Sequence, residues 1–93
     1  MVYATEADVL NMALFGMTAK IWRDLNPNEK GNIRDHATIQ QLVVLSNLES
    51  INAMLIAQVI AQNERLIQLN KIAITQMKSL VENQSLQKFS NDE

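Results

Sequence analysis

Apolar positions recur every three or four residues along most of this chain, and where that rhythm breaks the residues are turn formers. A first short helix is predicted over about 5–15. The Thr5 hydroxyl can cap its free N–H groups, Glu6 and Asp8 suit the positive end of its dipole, and Gly16 supplies a stop. A second, over about 18–25, opens at Thr18, carries Ile21, Trp22 and Leu25 on a narrow face, and ends at Asn26-Pro27. The polar stretch 26–36, with Asn-Pro and Lys-Gly steps, reads as a loop.

Beyond Gly31 there is no glycine or proline, and Leu, Ile, Ala, Gln, Glu and Lys dominate. A long helix is predicted over about 37–60. At 100° per residue, Val44, Leu48, Ile51, Leu55 and Val59 form one wide face. Leu42, Val43, Ala53 and Met54 fall on other sides, and Glu49 is the only charge. A helix apolar nearly all round is either central or covered by a partner. The following helix, about 63–84, is one-sided. Leu66, Ile67, Leu69, Ala73, Ile74, Met77, Leu80 and Val81 share an arc of roughly 160°. Glu64, Gln68, Lys71, Thr75, Lys78, Ser79 and Glu82 lie opposite, and 85–93 reads as a flexible polar tail.

The join between these helices allows two outcomes. Residues 61–64 hold neither glycine nor proline, and Leu45, Leu48, Asn52, Leu55, Val59, Gln62, Leu66, Leu69 and Ala73 keep heptad spacing across the join. A continuous helix is therefore permitted. A hairpin is preferred, because a single helix of that length needs a long partner surface. The expected fold class is all-α: one domain over 1–84, two short helices followed by a long helical hairpin, packed as an oligomeric bundle.

Composition narrows the function. With 93 residues the chain is one domain or part of one, and small domains without staples commonly oligomerise. No cysteine is present, which removes disulfides and thiolate metal sites. The net charge of −2 argues against phosphate binding as the main task. Lys20, Arg23, Lys30 and Arg34 are the one basic stretch where phosphate contact is worth testing; Arg65 and Lys88 project elsewhere. The uncharged stretches Ala37–Leu48 and Ser50–Asn63 are too short to span a bilayer, and Glu6 and Asp8 occupy the place of a signal's basic region. No membrane association is expected, and a cytoplasmic location is.

Chemistry-bearing residues are few. His36, beside Asp35, has no second His or Cys to complete a metal site. Ser46, Ser50, Ser79, Ser85 and Ser90 lack a nucleophile-elbow setting, and no phosphate-cradling glycine loop exists. No enzyme activity, metal, cofactor or small-molecule substrate is expected. Trp22, Phe15 and Met17 read as core between the short helices and the hairpin. Asn52 and Gln41 on the apolar face of the third helix read as amides satisfied inside an interface.

One set of residues resembles a known family. Tyr3-Ala4-Thr5-Glu6-Ala7-Asp8, Ala13-Leu14-Phe15-Gly16-Met17-Thr18-Ala19-Lys20 and Trp22-Arg23 are similar to the region that follows the DNA-binding domain in KilA-N domain proteins of bacteria and phages. The likeness continues through Asn26-Pro27, Lys30-Gly31-Asn32-Ile33-Arg34-Asp35, Gln41-Leu42-Val43-Val44-Leu45 and Asn47-Leu48-Glu49-Ser50-Ile51-Asn52-Ala53, and ends with Glu64-Arg65-Leu66 through Gln76-Met77-Lys78. Val59 and Ala61 stand where that pattern leads one to expect a glycine and a serine cap. The resemblance implies a C-terminal accessory region of a phage- or mobile-element-related protein, with DNA bound only through a KilA-N domain that this sequence lacks. The resulting expectation is a dimerisation module whose interface uses Val44, Leu48, Ile51, Asn52, Leu55 and Val59. The alternative is an accessory domain that contacts nucleic-acid phosphates through Lys20, Arg23, Lys30 and Arg34.

Overall fold

A computed structural model describes the backbone of residue 3 and residues 5–91, and the side chains of residue 3 and residues 5–82. The described residues are helical, with no strand. The elements are α1 (Glu6–Phe15), α2 (Ala19–Leu25), a 3-10 turn (Ile33–His36), α3 (Ile39–Ala57) and α4 (Gln62–Asn91). Side-chain caps set most of the starts. Thr5 Oγ1 accepts from the Asp8 N–H at 3.1 Å and Thr18 Oγ1 from Ile21 at 3.2 Å. Thr38 and Gln41 close a reciprocal capping box on α3. Gly16 ends α1 in the left-handed region at φ 75°.

Two segments differ from the sequence reading. The loop expected over 26–36 contains the 3-10 turn, because Asn32 and Asp35 form a capping box that holds Ile33 inward and buried. Gly31 precedes it at φ 82°, where a Cβ would lie 2.6 Å from an Asp35 carboxylate oxygen. The polar tail expected from residue 85 is instead a continuation of α4 as far as Asn91; residues 92–93 lie outside the described residues. Gln and Lys are good helix formers, and propagating an existing helix costs far less than nucleating one.

The long helices form a hairpin, so the continuous helix is not adopted. The Ile60 N–H bonds to the Leu55 carbonyl at 3.1 Å and the Val59 N–H to Ile56 at 2.9 Å. This is the Schellman pattern, whose residue after the cap is left-handed and usually glycine. Here it is Val59, at φ 59° and 89 % exposed. A β-branched side chain in that region is strained by about 1–2 kcal/mol. The turn is held by its surroundings: Ile60 packs on the core, and the Gln62 side chain bonds both the N–H and the carbonyl of Tyr3.

α4 is the spine. Tyr3 meets Gln62, Glu6 meets Arg65 and Asn70 reaches the Ala13 carbonyl, so α1 runs parallel to α4 along one flank. α3 returns antiparallel along the other, with Asn47 bonded to Gln76 at 3.1 Å. The core between the three helices is Val9, Leu10, Ala13, Val44, Leu45, Leu48, Leu55, Leu69 and Ala73. α2 lies outside it, packed on the 3-10 turn, and buries none of its residues.

α3 also alters the reading of hydropathy. By running through Glu49 it joins the two uncharged stretches into 19 residues, with a mean hydropathy of 1.2 over its best window. By length and composition it is therefore long and apolar enough to cross a membrane, unlike either stretch alone.

The strained corner makes a direct prediction. Val59→Gly removes a side chain that touches little and relieves the left-handed backbone, at some cost in unfolded-chain entropy. A net gain of about 1 kcal/mol is expected, raising Tm by about 4–8 °C in thermal unfolding. An unchanged or lower Tm would show that the corner carries no strain.

Candidate interaction surface

The side chains expected to meet a partner lie mainly within the chain's own core. Val44 and Leu48 are fully buried, Leu55 nearly so, and Ile51 packs partly against the same cluster. Asn52 is buried too, and its Nδ2 donates to Glu6 Oε1 at 2.9 Å. Val44, Leu48, Asn52 and Leu55 are thus corrected from an intermolecular to an intramolecular face. The physical reason is α1, which fills the groove of the hairpin and uses up that side of α3. Val59 is exposed, but at the corner instead of on the helix face. Gln41 is engaged in the Thr38 box, its Oε1 accepting the Thr38 N–H at 2.9 Å.

Asn52 belongs to a polar cluster that sequence reasoning missed. Arg65 Nη2 donates to both Glu6 carboxylate oxygens, at 3.1 and 2.9 Å, and Nη1 to the Ile60 carbonyl at 3.3 Å. The Arg65 side chain is 8 % exposed and that of Glu6 is 47 % exposed. Asn52 Oδ1 and Arg65 Nε are buried without a hydrogen-bond partner, so the cluster is only partly satisfied. Its role is structural: one carboxylate ties the first turn of α1 to both arms of the hairpin. The available signal was the place of Arg65 one residue before Leu66 and four before Leu69, on the packed side of its helix.

What remains outside is apolar. On α3, Ile39, Leu42, Val43, Met54 and Ile56 are exposed large hydrophobics. Between them, Ser46, Ser50, Ala53 and Ala57 are exposed as well. Ile39, Val43, Ser46, Ser50, Ala53 and Ala57 step by four and three residues alternately, and this uncharged heptad was the signal available for the outer face. On α4, Ile67, Ile74 and Val81 are also exposed, so its apolar arc is wider than α1 and α3 cover.

The four basic residues singled out for phosphate contact divide into two pairs. Lys20 and Lys30 are exposed. Arg23 is occupied: its Nη1 donates to the Glu29 carbonyl at 2.6 Å and to that of Asn26 at 3.4 Å, while the guanidinium lies 5.1 Å from the Trp22 ring centroid. Arg34 bonds Asn11 Oδ1 at 3.2 Å and Glu49 Oε1 at 3.4 Å. The structure therefore does not present the four as one open cationic surface.

Trp22, Phe15 and Met17 are half-buried and do not belong to the three-helix core; with Ile33, His36, Ala37 and Gln41 they line a groove of about 210 Å³. The His36 ring lies 4.9 Å from Trp22, and its Nε2 is 2.7 Å from the Lys30 carbonyl. Among the described residues no three His, Asp or Glu side chains converge as a metal site.

The fold and these surfaces were compared with known proteins. No family model, curated protein or solved structure matches this chain.

The polar cluster yields a stability test. Glu6→Gln keeps the shape but leaves the Arg65 charge buried without a counter-charge. Full burial would make such a loss about 3–5 kcal/mol, and the half-exposed carboxylate reduces it to about 2. Glu49→Gln, at a more open pair, should cost under about 0.5 kcal/mol. Urea unfolding of both variants measures the contrast; equal effects would mean that Arg65 gains nothing special from Glu6.

Proposed function

We propose that this chain is a non-enzymatic helical interaction module that pairs two copies of a KilA-N-type, phage- or mobile-element-related DNA-binding protein. The observation that carries the reading is the outer face of α3, which stays apolar and uncharged after α1 and α4 have completed the core. A contiguous exposed apolar surface on a small domain costs solubility unless a partner covers it. The resemblance of the segments from Tyr3 to Lys78 to the accessory region of KilA-N proteins supports the biological setting, a cytoplasmic one.

In this reading DNA is held by a KilA-N domain outside this sequence, and the present chain contributes no base or phosphate contact of its own. Its net charge of −2 and the internal engagement of Arg23 and Arg34 favour that division of labour. Pairing serves such a protein because two tethered DNA contacts bind with far higher avidity than one. No cofactor, metal or small-molecule substrate enters the mechanism.

Sedimentation equilibrium over a micromolar concentration series is the test. A reversible monomer–dimer equilibrium with the expected dimer mass supports the module. A folded monomer throughout the series removes it.

A further inference from the structure

The outer face of α3 has a size pattern as well as an apolar character. Ile39, Leu42, Val43, Ser46, Ser50, Ala53, Met54 and Ala57 share an arc of roughly 120° at 100° per residue. None is charged. Glu49 lies at the rim, where it is already paired with Arg34. Bulk is uneven along the axis: Ile39, Leu42 and Val43 crowd the first turns, serines occupy the middle, and Ala53 and Ala57 thin the last turns around a single Met54.

We propose that a second copy of this chain packs on this face with its own α3 antiparallel, about a two-fold axis at the level of Leu48. This rests on the self-association reading above and adds its geometry. In that register Ile39 meets the partner's Ala57, Val43 meets the partner's Ala53, Leu42 meets the partner's Met54, and Ser46 meets the partner's Ser50. Each pairing occurs twice, so each bulky side chain at one end finds an alanine or the flexible Met54 opposite. The Ile39–Ala57 and Val43–Ala53 layers set large on small, and the central Ser46–Ser50 layers set small on small, which lets the helices close to about 8–10 Å about the two-fold axis. A parallel pair would oppose Ile39 to the partner's Ile39 and Ala57 to the partner's Ala57. The helices would then be wedged apart at one end and leave voids at the other. Antiparallel axes also oppose the helix dipoles favourably.

Area and charge fit the same occupant. α3 has 19 residues, which makes its face about 28 Å long and about 10 Å wide. Covered by an identical helix, it buries roughly 600 Å² over both copies, the size of a weak, reversible contact. A face without charge meets no like-charge repulsion across a two-fold axis. A lipid surface is the poorer occupant, because an interfacial helix is flanked by Lys and Arg and α3 contains neither.

The absence of cysteine makes the geometry readable by crosslinking. Ile39→Cys and Ala57→Cys are prepared as separate full chains, mixed, and treated with a short bifunctional thiol reagent. The expected result is a mixed 39–57 crosslink as the main product, with little product from either variant alone. A parallel pair would leave those positions about 27 Å apart and link each variant to itself instead. Ser50→Arg, which points a charge into the centre of the face, should weaken dimerisation at least about tenfold with helical content unchanged. Self-linked Ile39→Cys, or a sedimenting dimer that gives no mixed product, overturns the antiparallel register while leaving self-association standing. A wild-type chain that sediments as a monomer overturns both.

Discussion

The fold turns on the need to neutralise the buried cation of Arg65. The Arg65 guanidinium sits inside the first turn of α4, where water reaches little of it, and leaving its charge unpaired costs about 2 kcal/mol, a large share of a small domain's stability. Glu6 supplies the counter-charge, and Glu6 also holds Asn52 on α3. One carboxylate thereby fixes where α1 starts, how far it is rotated, and which side of the hairpin it covers. The apolar core is non-directional and would tolerate a small slide of α1; the carboxylate contacts do not.

That placement of α1 decides what is left for the outside. Three helices around one core each need a single buried side, and α3 carries more apolar surface than one side can hold. Val44, Leu48 and Leu55 go inward. Ile39, Leu42, Val43 and Met54 stay outside because α4 and α1 together wrap less than the full circumference. The surface available for a partner is thus the remainder of an intramolecular choice.

Much of the fold is legible in the residue pattern alone. Thr5, Gly16, Thr18 and Asn26 mark helix ends by chemistry that acts within one turn, and the structure uses all four. The hairpin corner is obscured because its left-handed position holds valine, the kind of residue that local rules place there last. Only distant contacts, through Ile60 and the Tyr3–Gln62 pair, make it tolerable, and those are invisible to a local reading. The candidate surface was misassigned for a related reason. Periodicity shows that α3 is apolar on several sides without showing which side α1 takes. Arg65 was overlooked because a lone basic residue reads as solvated until its carboxylate, 59 positions away, is brought alongside.

The parallel course of α1 and α4 has a mechanical consequence. Tyr3 is tied to Gln62 at one end of α4, while Asn91 lies at the other, about 45 Å away along a helix of 30 residues. Tension applied between those two ends draws α1 along the flank of α4, so the load falls on the Glu6–Arg65, Tyr3–Gln62 and Ala13–Asn70 contacts together. Contacts strained side by side in shear must yield at once, whereas a hairpin pulled open at its ends peels one turn at a time. α3 shares this load through the Glu6–Asn52 contact and its packing on α1, while its exposed outer face makes none of those contacts.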